Sequence, residues 1–282
     1  MTTFAGVEHA GIDADAFNAF EAAGWEERAR AYDRFFRSLT SRLAEPLLDA
    51  ASVVGGTRVL DIATGPGYVA GRAAARGAEV VGADVAESML ELARELQPGV
   101  EFRQADAHDL PFADGSFDAV VGNFAILHLG RPEQAVAEFV RVLAPGGRLA
   151  LTVWDAPDRA RFLGVLLDAF AEAGATPPEG VPAGPDFFRF ANDEEFDALL
   201  CDQGLEERLV ETIEFTFSVA SADEYWDSLL GGTVRVSALV LGQAEGTQQR
   251  IRNAFHRQMD EYQTAVGFEL PVSVKLGSAR SP

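Results

Sequence analysis

The sequence predicts an α/β protein with a doubly wound, mostly parallel seven-stranded sheet and a helical cap. Three observations carry this expectation. Short apolar runs alternate with amphipathic stretches between about residues 55 and 155, and the first run ends in a glycine-rich turn. The flanking segments show helical periodicity instead.

Taken in order, residues 58–62 (RVLDI) form a buried strand, and a helix follows the glycine turn as far as Arg76. Residues 78–84 form the next strand and 87–96 the next helix. Residues 100–104, 117–122 and 148–154 supply three more strands. A helix over 132–143 opens on Pro132, a favoured first-turn residue, and stops at Pro145-Gly146-Gly147. Before the core, Trp25, Ala29, Tyr32, Phe36, Leu39 and Leu43 recur at steps of three and four, one face of a helix. After it come a helix over 162–173, a turn-rich TPPEGVPAGP stretch at 176–185 and a helix over 193–201. A strand over 211–219, helix over 222–265 and a final strand over 268–276 complete the chain. The expected division is an N-terminal helical cap (1–54), a cofactor-binding core (55–155) and a remainder (156–282) that finishes the sheet and inserts further cap segments.

Composition narrows the function. With 48% hydrophobic residues among 282, the chain has enough apolar material for a substantial core. It lacks any run of eighteen apolar residues, so no membrane span is expected. The first seventeen residues carry acids and no basic flank before an apolar block, unlike a signal peptide. The single cysteine, Cys201, fits a reducing cytoplasm. The net charge of −21 argues against nucleic acid and anionic lipid as partners.

The informative segment is VLDIATGPGYVAG, residues 59–71. A strand ends near Asp61, and Gly65, Gly67 and Gly71 then open a helix. In a parallel sheet, ligands bind at the carboxyl ends of strands where the order reverses, and glycine lets the backbone approach them closely. Asp84 lies nineteen residues after Gly65, at the end of the next strand. Its carboxylate can accept hydrogen bonds from both hydroxyls of a ribose. These two features alone suit a nicotinamide dinucleotide as well as any other nucleoside cofactor.

The wider set of motifs decides between them. LDIATGPG (60–67), VVGADVAESMLELAR (80–94), FRQADAHDLPFADGSFDAVVGN (102–123) and RVLAPGGRLALTVW (141–154) stand in one order and spacing. Over roughly residues 55–155 the chain resembles the class I S-adenosylmethionine-dependent methyltransferases, in particular their small-molecule, quinone and natural-product branch. The resemblance implies that Asp61, Ala63, Gly65 and Gly67 surround the methionine part of S-adenosylmethionine, with Asp61 near its ammonium group. It further implies that Asp84 holds the ribose and Met89 packs on the adenine. Asp106 would accept from the adenine amino group, with Ala107 adding a backbone contact; Asp109 competes for that role. Asn123 and Phe124 would line the gap between cofactor and acceptor. Ala63 replaces the family's usual glycine, a change tolerated if the backbone there stays in the β region.

Outside the cofactor motifs, His128 in NFAILHLGRPE is the candidate to orient or deprotonate an acceptor, against a plain loop histidine. His108 reads as a surface residue, and His9 and His256 have no supporting context. Trp25 and Tyr32 either pack in the core or line the acceptor pocket. Arg235, in GGTVRVSALV, either binds an acidic acceptor or snorkels past apolar neighbours. The segments 156–192 and 220–266 are expected to join the N-terminal helices over the acceptor, with Phe187, Phe188, Phe190, Tyr225 and Trp226 as aromatic surface.

The expected activity is methyl transfer to a small apolar or aromatic molecule. The alternative is a protein that binds the same cofactor without methyl transfer, as a cyclase or scaffold. A short-chain reductase is disfavoured, because the only lysine, Lys275, has Pro271 where a Tyr-x-x-x-Lys pair needs tyrosine. No metal is expected, since no set of carboxylates and amides converges beside the cofactor motifs. Acceptor identity and oligomeric state are not legible in the sequence.

Overall fold

The structure is a computed structural model describing residues 12–282, so His9 and most of the segment read against a signal peptide lie outside the described residues. The first helix, α1 (Ala14–Thr40), is capped by Asp13, whose carboxylate accepts from the Ala16 N–H at 3.0 Å. A short turn leads into α2 (Ala44–Ala50). The alternating core follows: β1 (Arg58–Ile62), α3 (Tyr68–Ala75), β2 (Glu79–Asp84), α4 (Glu87–Leu96), β3 (Glu101–Gln104), β4 (Phe117–Asn123), α5 (Pro132–Val142) and β5 (Leu143–Trp154). Then come α6 (Arg161–Glu172), α7 (Asp193–Asp202), β6 (Glu206–Val219), α8 (Ala222–Gly232), α9 (Arg235–Leu241), α10 (Glu245–Met259), β7 (Gln263–Thr264) and β8 (Gly267–Arg280).

The strands run in the order β3-β2-β1-β4-β5-β8-β6. The first five are parallel; β8 is antiparallel to both β5 and β6. The short β7 pairs with β8 and adds an eighth strand to the seven expected. Consecutive residues Val59 and Leu60 are both fully buried, as a strand covered on each face requires. On one face, Leu47 and Leu48 of α2 and Val69 and Ala73 of α3 pack on Val59 and Val121. On the other, Phe139 of α5 and Phe162 of α6 join Leu60, Val120 and Leu149. Strand order reverses at β1, with β2 on one side and β4 on the other, which opens a crevice above its carboxyl end.

Three boundaries differ from the sequence expectation. The Pro145-Gly146-Gly147 stop lies inside β5: Leu143 already pairs with Phe117, and the register slips before Arg148 meets Ala119. The helix expected over 222–265 is three helices, and the first ends at Gly231-Gly232. Glycine at 232 serves close packing, since a Cβ there would sit 2.7 Å from the Phe36 ring. Strands β6 and β8 extend beyond 211–219 and 268–276, because β8 pairs along its length between two neighbours. Among the described residues, no helix is long and apolar enough to cross a membrane.

Helix α1 lies across the crevice and is held from three sides. The Tyr68 hydroxyl of α3 donates to Asp33 at 2.6 Å, and the Ser88 N–H of α4 donates to Glu26. The Gly130 N–H beyond β4 donates to the Asn18 side chain at 2.7 Å. Its far end is anchored by Phe36, buried against the Tyr32 and Phe162 rings. Phe36→Ala is expected to lower unfolding free energy by about 3–5 kcal/mol, the usual loss for a buried aromatic, as measured by urea denaturation.

Candidate functional site

Between the β1 carboxyl end and α1 lies a cavity of about 330 Å³. That is at the lower end of the ~300–1,000 Å³ typical of small-molecule sites. Its floor is the turn after β1. Asp61 is buried, and its Oδ2 accepts from the Thr64 hydroxyl at 2.6 Å and the Ala70 N–H at 3.0 Å. Burial pushes its carboxyl up to about 7, although both hydrogen bonds oppose the shift. Ala63 and Gly65 follow in left-handed conformations, at φ 51° and 52°.

The adjoining wall comes from β2 and the loop after β3. Asp84 is buried, with Oδ2 accepting from the Gly65 N–H at 2.8 Å and Oδ1 from the Ala86 N–H at 3.0 Å. The first bond ties the glycine turn to the neighbouring strand end. Burial raises the Asp84 carboxyl as well, against the backbone N–H groups that bond it. Met89, at the start of α4, is buried and lines the cavity. Asp106 and Ala107 line it too, whereas Asp109 does not. Asp106 Oδ1 takes both the backbone N–H of His108, at 2.9 Å, and its ring Nδ1, at 2.8 Å.

The opposite side is built by the end of β4 and by α1. Asn123 and Phe124 line the cavity. The Asn123 amide donates to the Thr40 carbonyl at 3.0 Å and its oxygen accepts from the Thr152 hydroxyl at 2.7 Å. Phe124 sits at φ 58°, an outlying conformation for a bulky residue, and stacks on Trp154 with ring centroids 3.8 Å apart. From α1 come Trp25, Tyr32 and a residue that sequence reasoning missed, Glu21. Glu21 Oε2 accepts from the Trp25 indole N–H at 3.0 Å and lies 2.9 Å from His128 Nδ1. Burial alone would raise the Glu21 carboxyl, but His128 and Arg235 hold it below the ordinary carboxylate range. The signal was present: Glu21 stands four residues before Trp25, which extends the apolar stripe of α1 by one acidic position.

Several expectations need correction. Ala63 does not keep a β-region backbone; its left-handed conformation costs roughly 1–2 kcal/mol. Gly67 is not among the residues that line the cavity, and a Cβ there would meet the Phe102 ring at 2.9 Å. His108 is not a surface residue: it is buried, lines the cavity, and its Nε2 has no hydrogen-bond partner among the described residues. Arg235 is neither exposed nor on the cavity wall. Its guanidinium donates to the carbonyls of Leu127 and Pro185, lies over the Phe17 and Phe187 rings and faces Glu21 at 3.6 Å. Segments 156–192 and 220–266 contribute no residue to the cavity wall; Phe190, Tyr225 and Trp226 are core residues, and among the described residues the covering helix is α1.

Fold and site together define a doubly wound α/β protein with an acid-lined ligand cavity at the switch point of its sheet. The methyltransferase-domain family matches residues 60–151. The demethylmenaquinone methyltransferase of Thermus thermophilus is 40% identical over 148 residues, covering 49% of this chain and 67% of that protein. That of Clavibacter sepedonicus is 42% identical over 128 residues, 44% of this chain. The chain spans about half the length of that second relative, 49%. In fold, it is similar to phosphoethanolamine N-methyltransferase 2 of Haemonchus contortus (TM-score 0.57, 18% identity, 98% of this chain and 61% of that one). The chain belongs to the class I S-adenosylmethionine-dependent methyltransferases.

Two tests follow from the turn after β1. Ala63→Gly removes the left-handed strain and is expected to raise unfolding free energy by about 1 kcal/mol in urea titrations. A folded-state carboxyl raised from 3.8 to about 7 gives stability that is full below pH 4 and lost as pH rises through 7. Asp61→Asn should erase that dependence, so that the variant gains on the wild type by on the order of 2–4 kcal/mol between pH 4 and pH 8. Urea midpoints across that range provide the check.

Proposed function

We propose that the protein transfers a methyl group from S-adenosylmethionine to a small apolar or aromatic acceptor of quinone type. One observation carries the reading. Three buried carboxylates, Glu21, Asp61 and Asp84, face one cavity, and no lysine or arginine lines it among the described residues. Such walls favour a cationic ligand and disfavour the diphosphate of a dinucleotide.

The residues present fit this cofactor. Asp61, with its carboxyl raised by burial, gains a counter-charge from an ammonium group. Asp84 offers lone pairs to a ribose diol, Met89 an apolar face to adenine, and Asp106 an acceptor to its amino group. His108 Nε2, buried and unpartnered, adds a polar atom on the same side. When bound, S-adenosylmethionine supplies an electrophilic methyl group on a sulfonium. The protein's task is then orientation, which contributes roughly 7–11 kcal/mol of barrier lowering in favourable cases. Asn123, fixed by Thr40 and Thr152, and Phe124, fixed by Trp154, form a rigid rim for that alignment. His128 stands on the same wall as the group that takes a proton from the acceptor, an effect of roughly 10²–10⁴-fold.

Trp25, Tyr32 and Phe124 give the acceptor side an aromatic lining, which suits a planar ring. The names of the bacterial relatives point the same way. In this reading residues 55–155 hold the cofactor and α1, within 1–54, closes the site. The excess of acid over base and the single free Cys201 support a cytoplasmic enzyme with no nucleic-acid partner.

Isotopically methyl-labelled S-adenosylmethionine, incubated with the protein and either a metabolite extract or a soluble 1,4-naphthoquinol, is expected to yield a labelled product by mass spectrometry. Asp84→Ala should weaken cofactor binding roughly 10²–10⁴-fold in calorimetry, the loss of two hydrogen bonds to a charged group. A wild-type protein with no affinity for S-adenosylmethionine or S-adenosylhomocysteine overturns the reading.

A further inference from the structure

We infer that Glu21, carried by the covering helix α1, is the positioning residue that makes His128 a base towards the methyl acceptor. The inference rests on the methyl-transfer reading only in what the acceptor is; the geometry stands independently.

His128 lies in the short turn after β4 and lines the cavity. Its Nδ1 is 2.9 Å from Glu21 Oε2, across 107 residues of sequence. Glu21 is 3% exposed. A buried carboxylate with a cationic partner 3.6 Å away, Arg235, stays ionised and only accepts hydrogen bonds. The proton between the two groups therefore resides on Nδ1, which leaves the lone pair of the neutral ring on Nε2. Among the described residues the hydrogen bond of the ring is made through Nδ1, and none is made through Nε2.

The ring is also fixed in orientation. The Trp25 indole meets it edge to face at 5.1 Å between centroids, and Phe187 does so at 5.8 Å. Trp25 is itself tethered to the same Glu21 oxygen. Glu21 Oε1, buried and without a hydrogen bond, faces Arg235 Nε, which is also unbonded. This pair balances charge without drawing the carboxylate away from His128. Carboxylate, imidazole and acceptor thus follow the base-and-orienter arrangement that activates hydroxyl nucleophiles elsewhere.

In the step itself, the O–H bond of the acceptor breaks and an N–H bond forms at His128 Nε2. The electron pair stays on the acceptor oxygen and would bond the methyl carbon as the methyl–sulfur bond breaks, that bond's pair remaining on sulfur in the departing S-adenosylhomocysteine. Glu21 keeps its charge and steadies the imidazolium, whose Nε2 proton then leaves to solvent.

The test uses full-length protein carrying 15N-histidine, loaded with S-adenosylhomocysteine, with His128→Asn as the assignment control. At a pH where the ring is neutral, the wild-type His128 spectrum is expected to show protonated Nδ1 and bare Nε2. Glu21→Gln should shift it towards the Nε2-protonated form. With a soluble 1,4-naphthoquinol at saturating S-adenosylmethionine, Glu21→Gln should lower kcat roughly 10–100-fold. A wild-type ring protonated on Nε2, or a Glu21→Gln variant with an unchanged ring spectrum or unchanged kcat, overturns the inference. The wild-type spectrum decides even if the variant fails to fold. Wild-type protein that leaves the naphthoquinol unmethylated overturns the acceptor class instead, and the ring spectrum still decides the role of Glu21.

Discussion

Three carboxylates held out of water around one cavity are the constraint on which the rest of the site depends. Each such group is costly unless something compensates it. The protein does so differently in each case. Asp84 is met by two backbone N–H groups at the ends of β1 and β2. Asp61 is met by a hydroxyl and one N–H, which are insufficient to keep its carboxyl in the ordinary range. Glu21 is met by an imidazole, an indole and an arginine. The gradient of compensation leaves Asp61 with the greatest need for a positive partner, at the floor of the cavity.

The covering helix joins this electrostatic arrangement to the fold. The doubly wound core provides the strand ends and the glycine turn, but it provides no roof. Helix α1 supplies one by bonding α3, α4 and the loop beyond β4, so that it spans both sides of the switch point. Through Glu21 it also supplies charge to the far wall. The helices after β5 take no part in the cavity and instead buttress α1: Tyr225 of α8 stacks with Phe35, and Gly232 admits Phe36. Arg235 of α9, which is not on the cavity wall, completes this support through Glu21 and the Phe17 ring of α1.

How far the sequence reveals this depends on how local the physics is. Residues 58–62 and 87–96 were legible to the residue as β1 and α4, because burial on both faces and amphipathic period are properties of neighbouring positions. Asp61, Gly65, Asp84, Met89, Asp106, Ala107, Asn123 and Phe124 all reach the cavity for a related reason: each lies in the segment that follows or ends a parallel strand. Glu21 was not legible as a site residue, because its meaning comes from contact with His128, 107 positions away. His108 misled for a similar reason: a polar residue in a loop reads as exposed until the fold closes α5 and α1 around it. Arg235 and the aromatics of α8 misled in the opposite sense. Residues that are unusual for their surroundings drew attention to the cavity, while packing had placed them one layer behind it.

Two strained residues that line the cavity, one at its floor and one at its rim, show where stability has been surrendered for geometry. Ala63 and Phe124 adopt left-handed backbone conformations directly after β1 and β4, the two strands that flank the switch point. Strain of this kind persists only where surrounding contacts over-determine it. At Phe124 those contacts are visible: its N–H is held by Thr152 and its ring by Trp154. That turn aims Asn123 and Phe124 at the cavity and sends the chain into the short turn that presents His128. At Ala63 the turn brings Gly65 within reach of Asp84. Both sharp reversals occur where a parallel strand must stop pointing along the sheet and begin to face a ligand. The sequence of the strands explains the sheet; the strain at their ends explains why the sheet has a site.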